Sequence, residues 1–378
     1  MSVLLRVDPG ASIVAAPANS HNRLWPDLEP VASIDPGDAF VAELRDGMDG
    51  ELGPGRTSES IAQLDLGANH PLTGPVEVRG AKPGDVLVVE ILEIETGSFG
   101  ASAVIPGFGL LGDQFDAPYL VHWDIADGVA RSAQLPGIAV RGEPFLGCIA
   151  VAPSRELLER AAAREAALAA GGGFVLEPLA DRAVPAVEPY ASRALRTIPP
   201  RENGGNLDLR QAGAGSRLLL PVHVPGALLS LGDAHFAQGE GESCGTAIEV
   251  AAKATVRVGL RPAAQLRWTP RFPAIEYTEP PRNAARAWFA TTGIPIADDG
   301  ANRQLDLTVA ARRALEELVS WLVHERGLSR EQGYVLASVA ADLTIAEAVN
   351  VPNGLVSCRL PLDVFDDPSA SPGSSARE

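Results

Sequence analysis

Thirty-eight glycines and thirty-one prolines punctuate the 378 residues, against only 5% aromatic residues, and this limits the fold more than any other feature of the chain. Proline breaks helices and glycine supplies the backbone angles that turns require. Such a chain favours short strands joined by tight turns, so the expected class is mainly β (α+β), with an antiparallel β-sandwich or barrel-like core. Two long β patterns anchor it. Asp85 to Glu95 follows the Lys82-Pro83-Gly84-Asp85 turn and carries Glu90, Glu93 and Glu95 at its solvated rim, while Thr246 to Leu260 alternates through Ile248, Val250, Val256 and Val258. A shorter piece, Leu218 to Val224, is closed by Pro225-Gly226.

Helices are expected in two places. Ser154 to Ala170 is rich in Ala, Leu and Arg, with Ser154 as cap and Gly171-Gly172-Gly173 as stop. Thr308 to Arg326 places Leu315, Leu318, Val319 and Leu322 at helical spacing and ends at Gly327; Ser329-Arg330-Glu331-Gln332 then forms a capping box for a second helix running to Ala341. This C-terminal helical pair should pack on a sheet. The organisation read from these patterns is a β-rich N-terminal part (1–152), a helical and proline-containing insertion (153–200), a catalytic-loop β segment with a C-terminal α+β part (201–365), and a disordered tail (366–378) without large apolar residues.

With 46% hydrophobic and 21% charged residues the chain reads as globular. A net charge of −17 with no basic cluster to offset it argues against a nucleic-acid partner. The apolar start is interrupted by Arg6, Asp8 and Pro9, so neither a secretory segment nor a membrane span is expected, and the location expected is cytoplasmic. Cys148, Cys244 and Cys358 are odd in number and lack CxxC spacing; they read as reduced core residues, not as a disulfide framework or a thiolate zinc site.

The chemistry concentrates between Arg201 and Val250. Gly232-Asp233-Ala234-His235 sets a carboxylate and an imidazole at i and i+2, which an extended segment points to one face. Asp208, Asp233 and His235 are therefore the expected ligands of a divalent metal with open positions left for water and substrate, although Asp is also an ordinary turn residue. Glu240 and Glu242 follow in a glycine-rich turn, where either would serve as base or further ligand. Asn203-Gly204-Gly205-Asn206 would present Asp208 or its own amide N–H groups to a substrate. His21 and His70 are candidates to reach the same pocket from other strands; His122 and His324 read as structural, and His223 is undecided. Carboxylates beside Cys244 should raise its pKa and favour a core or turn role. Gly241-Glu242-Ser243-Cys244-Gly245 matches a nucleophile elbow in letters but lacks the strand before and the helix after.

Six ordered motifs run through most of the chain: His21-Asn22-Arg23; His70-Pro71-Leu72-Thr73-Gly74-Pro75-Val76; Gly80-Ala81-Lys82-Pro83-Gly84-Asp85; Gly107-Phe108-Gly109-Leu110-Leu111-Gly112-Asp113; Asn203-Gly204-Gly205-Asn206-Leu207-Asp208; and Gly232-Asp233-Ala234-His235 through Gln238-Gly239-Glu240-Gly241-Glu242. In these the sequence resembles the acetamidase/formamidase family. The resemblance implies a β-rich fold and hydrolysis of short aliphatic amides such as acetamide and formamide to carboxylate and ammonia. It also implies a bound divalent metal, zinc foremost with calcium or magnesium as alternatives, on Asp208, Asp233 and His235. The expected catalytic residues are Glu242, Glu240 and His21, and the expected substrate contacts Asn203, Gly204, Gly205, His70 and Gln238, with a metal-activated water as nucleophile. Two departures stand out: Leu24-Trp25 replaces the family's Trp-His pair, and the stretch from Ser154 to Pro200 is longer than in the family pattern. Competing readings are a metal-free amidase using Cys244 or a carboxylate, and a non-catalytic small-amide-binding protein of the same fold. A homodimer or larger homo-oligomer is expected on symmetry grounds.

Overall fold

The computed structural model describes residues 3–176, 178–278 and 287–367. Eight of its strands position the site: β1 (Leu72–Val78), β2 (Val86–Val104), β3 (Tyr119–Ala126), β4 (Phe145–Ala150), β5 (Gly204–Asn206), β6 (Arg217–Pro221), β7 (Leu229–His235) and β8 (Glu249–Arg261). All belong to one fifteen-stranded sheet, so strands from before residue 153 and after residue 200 intermix in a shared core. The pairing is antiparallel except where Val3–Leu5 runs beside Ala39–Leu44 and where Ala32–Ile34 runs beside β1.

The two β patterns legible in the sequence turn out to be partners. β2 pairs with β8 from Val86↔Arg261 to Ala101↔Glu249, and its other edge is divided between β6, at Val86 to Glu90, and β3, at Phe99 to Val104. Glu90 accepts from Arg217 and Arg257 on the neighbouring strands, so this rim acid is held in an ion-pair cluster. Trp123 on β3 is fully buried and donates its indole N–H to Ser102 Oγ on β2 at 3.0 Å. Trp123→Ala should cost about 3–5 kcal/mol through the lost contacts and the cavity left behind. Urea unfolding monitored by far-UV circular dichroism measures this, and a loss under 1 kcal/mol would contradict the assigned packing.

The decisive irregularity lies in β7. One edge runs along β4 throughout. Its other edge pairs with β1 as far as Gly232 and with β8 from Ala234 onward, so Asp233 stands at the fork between them. Asp233 has φ +56, in the left-handed region, which redirects the strand from one neighbour to the other.

Helix α1 (Arg155–Ala170) begins where expected, Ser154 accepting from Leu157 N, and buries Leu157, Leu158 and Ala161. Leu24 and Trp25 bury themselves with Leu158, Tyr190 and Leu195 of the insertion, Trp25 meeting Tyr190 edge-on at 6.3 Å. Leu24 and Trp25 thus form the seat on which the segment between Ser154 and Pro200 packs. Helices α2 (Leu307–Arg326) and α3 (Arg330–Ala340) carry the expected Gly327 stop, at φ +67, and the expected Ser329–Gln332 box, and Asp306 adds a cap at the start of the first. They pack against each other, and α2 packs on a three-stranded sheet of β9 (Trp288–Gly293), β10 (Asp342–Glu347) and β11 (Leu355–Pro361). Asp366 is held by Arg131; the tail anticipated from Asp366 lies, from residue 368 on, outside the described residues. Among the described residues no helix is long and apolar enough to cross a membrane.

Candidate active site

Where β1 and β8 part at Asp233, a cavity of about 90 Å3 opens. Asn69, His70, Asn206, Asp233, Glu242 and Glu249 form its polar lining, and Met48, Leu66, Ile105, Phe108, Leu176 and Ile198 its apolar lining. The cavity is smaller than the roughly 150 Å3 that accommodates benzene. It suits a ligand of a few heavy atoms.

Asp233 and His235 lie on one face of β7, as their i, i+2 spacing predicted, with Asp233 Oδ1 3.5 Å from His235 Nε2. Glu249, at the start of β8, is the cross-strand partner of His235 and brings Oε2 to 3.3 Å from the same Nε2. Asp208 follows β5, and Asn206 Nδ2 donates to its Oδ2 at 2.8 Å. Gln238 donates to the Asp208 backbone carbonyl. Glu242 arrives from the turn before β8. That turn is fixed by α3: Tyr334 donates to Ser243 O at 2.6 Å, and Ser338 Oγ accepts from Cys244 N and donates to Thr246 O.

Asp208, Asp233 and Glu242 have φ of +44, +56 and +41, a region that L-residues enter at a cost of about 1–2 kcal/mol each. Three strained acids facing one another indicate a site shaped for function. Neighbouring backbone must also come close. A Cβ at Gly147 would lie 2.6 Å from Asp233 Oδ2 and 2.7 Å from Asp208 Oδ1, and one at Gly47 would overlap Asp233 Oδ1.

Four carboxylates thus share a buried space with the imidazoles of His70 and His235. Burial, reinforced by Asp233, pushes Asp208 up to about 7. Burial and then Asp208 push Glu242 well above the usual carboxylate range. For Asp233 burial acts upward too, but His70 and His235 outweigh it and hold the carboxyl low. Burial opposes protonation of His235, yet Glu249 and Asp233 raise it well above its ordinary value. Asp208 Oδ1, Glu249 Oε2 and His235 Nδ1 have no hydrogen-bond partner. Crowded carboxylates, imidazole nitrogens and unpartnered buried donor atoms fit a divalent cation. Among the described residues, the groups with ligand atoms all within 4.8 Å of one another are Asp208/His235/Glu242, Asp233/His235/Glu249 and His70/Cys148/Asp233.

Other sequence candidates stand apart. His21 is buried, with Nδ1 donating to Arg23 O at 2.8 Å and Nε2 2.7 Å from Ser230 Oγ; burial lowers its pKa to about 4, so the neutral ring accepts from Ser230 and neither nitrogen faces the cavity. Its motif works through Asn22 and Arg23, which donate to the carbonyls of Ala68 and Gly67 and so hold the loop that presents His70. Glu240 is held by Gln211 and by Leu343 N at its carbonyl, outside the cavity lining. Gly204 and Gly205 form strand β5 instead of an open loop; Gly204 N donates to Arg201 O, and Asn203 Nδ2 donates to Val151 O. Cys244 is buried against Ala103 and Thr246. Glu249, Asn69, Asn206 and Cys148 were missed in sequence. Glu249 sits inside an apolar β pattern, and only strand register identifies its partner.

A model of the acetamidase/formamidase family matches residues 6–367. The chain belongs to this family. It is 33% identical to a formamidase from Methylophilus methylotrophus over 92% of this chain and 89% of that one, and 32% identical to an acetamidase from Mycolicibacterium smegmatis over 88% of each. A γ-lactamase from Delftia acidovorans has a similar structure, with a TM-score of 0.91 at 30% identity, covering 98% of this chain and 95% of that one. Membership makes this family chain an amide hydrolase of the carbon–nitrogen type.

Proposed function

We propose that the enzyme hydrolyses short aliphatic amides, formamide and acetamide first, in the cavity at the β7 fork. The observation that carries this reading is a small chamber whose polar lining gathers carboxylates and imidazole, and whose opposite lining is apolar. Asp233, His235 and Glu249, whose ligand atoms lie within 4.8 Å of one another, would hold a divalent cation with Asp208 beside His235, zinc on the strength of the imidazole donor, and the cation would supply Lewis-acid polarisation of the amide carbonyl and of the attacking water. Glu242 lines the cavity and carries the water's proton to the leaving amine nitrogen, a role its position supports over Glu240. Asn69, whose Nδ2 otherwise meets only the Met48 sulphur at 3.1 Å, donates to the amide oxygen. The apolar lining receives the acyl group and limits its length.

Ammonia release from formamide, acetamide and propionamide tests this, before and after chelator dialysis and zinc return. Loss on chelation with recovery on reloading is expected. No ammonia from any of the three in metal-replete protein would overturn it.

Leu176 and Ile198 bring the insertion to the cavity. Leu176→Ala or Ile198→Ala should raise the propionamide-to-formamide ratio of kcat/KM by about tenfold, since a methylene in an apolar pocket is worth roughly 1–3 kcal/mol. An unchanged ratio in both variants would remove the insertion from substrate selection. A second reading, hydrolysis of a small cyclic amide, is favoured by the close structural match to the γ-lactamase. Including 2-pyrrolidinone in the same assay separates the two.

A further inference from the structure

Asn69 is only 2% exposed, and the loop that carries it into the cavity lining is braced on both sides of it. Arg23 donates to Gly67 O, Asn22 donates to Ala68 O, and Thr197 Oγ1 accepts from His70 N. The carboxamide itself is left incomplete. Nδ2 donates to the Met48 sulphur at 3.1 Å, while Oδ1, though buried, has no hydrogen-bond partner among the described residues. An unpaired buried carbonyl is destabilising, and a partner from outside the chain accounts for its being kept.

The sulphur also decides which way the carboxamide is turned. Two lone-pair atoms at 3.1 Å would repel, so nitrogen faces Met48 and oxygen lies on the other side. A weak thioether acceptor engages one of the two N–H groups. The other N–H and Oδ1 remain, a donor and an acceptor on one planar group. They are complementary to an amide whose own N–H lies on the same side as its carbonyl oxygen, because such an amide accepts from Nδ2 and donates to Oδ1 in one flat ring. Primary amides meet this condition, and so do small lactams, in which ring closure holds the N–H beside the oxygen. An open-chain secondary amide does not: its trans bond puts the N–H opposite the oxygen, and the cis form is costly.

We propose that Asn69 determines specificity in this site by pairing through Nδ2 and Oδ1 with amides whose N–H and carbonyl share one side, the primary amides and small lactams, and that Met48 holds it in that orientation. This rests on the reading of the cavity as an amidase site and defines the substrate class. Acetamide and 2-pyrrolidinone then belong together, bound by the same two hydrogen bonds.

The test compares propionamide with its isomer N-methylacetamide, so that size and composition are equal. Acid release is followed by proton NMR in the parent protein, in Asn69→Leu and in Met48→Leu. The parent should prefer propionamide by on the order of 10³-fold or more in kcat/KM, since a site built to bond a substrate N–H rejects an analogue that cannot present it. Asn69→Leu should reduce that preference by about tenfold or more with no fall in the thermal midpoint, because the extended backbone at residue 69 (φ −73, ψ 138) accepts leucine and an unpaired acceptor is removed. A structural asparagine would instead lower the midpoint and leave the preference alone. Met48→Leu keeps the volume and removes the sulphur, and should reduce the preference severalfold. A parent preference under tenfold, or an unchanged preference in Asn69→Leu, overturns the pairing and leaves the amidase reading standing. Should Asn69→Leu fail to fold, an unchanged preference in Met48→Leu overturns it. No acid from propionamide, acetamide or 2-pyrrolidinone in the parent overturns both readings.

Discussion

Asp233→Asn is expected to lower kcat/KM for acetamide and formamide by on the order of 10³-fold or more, equivalent to about 4 kcal/mol of transition-state stabilisation. Asn adopts the left-handed backbone that Asp233 occupies at φ +56 and keeps its volume, so the fold should survive. What disappears is the charge that His70 and His235 stabilise and that two of the three donor groups share. Metal content should fall with activity, because an amide oxygen is a weaker ligand than a carboxylate. Steady-state ammonia assays and elemental analysis on the same preparation measure both. Activity within tenfold of the parent enzyme would remove Asp233 from the centre of the mechanism.

Gly147→Ala is expected to have the second largest effect, although residue 147 carries no functional group. Its added methyl would lie 2.6 Å from Asp233 Oδ2, 2.7 Å from Asp208 Oδ1 and 2.9 Å from Asp233 O, each far inside contact distance. Gly147 is not at positive φ, so the backbone tolerates alanine and the damage is steric. Both carboxylates must move, and a displacement of about 1 Å at a catalytic centre costs about 10²-fold. Gly259→Ala on β8 supplies the control, since its methyl would meet only Val88 at ordinary distance. Equal activity in the two variants would show that the carboxylates are not held as the structure places them.

Much of the fold was legible because it rests on local rules. Ser154, Gly327 and the Ser329–Gln332 box set helix ends through bonds within one turn, and all three appear where the sequence indicated, while the Asp306 cap obeys the same local rule but was not read from it. The alternation at Asp85 to Glu95 and at Thr246 to Leu260 is likewise local, although β2 extends to Val104, well beyond the pattern, where Phe99 and the small residues around it pair with β3. The i, i+2 relation between Asp233 and His235 follows from strand geometry alone.

The site was legible only in part, and the reason is sequence distance. Glu249 becomes a partner of His235 through the register of β7 on β8, and Cys148 reaches Asp233 through the pairing of β4 with β7. Both residues sit in runs that read as ordinary buried strand. The missing CxxC spacing said nothing about a cysteine whose companions, His70 and Asp233, come from other strands. His21 shows the converse: a motif that looks catalytic carries neighbours that brace the His70 loop, while its own imidazole is committed to Arg23 and Ser230.

The amino-acid order by itself determined the β-rich class, the helix caps, the family motifs and the Asp233–His235 pair, because each depends on residues within a few positions of one another. Only the tertiary structure decided that β7 forks at Asp233, that Glu242 and not Glu240 faces the cavity, and that Cys148, His70 and Glu249 join the same cluster. Those facts depend on which strand edges meet, and strand pairing is set by burying the whole sheet at once, a property that no local stretch of sequence encodes.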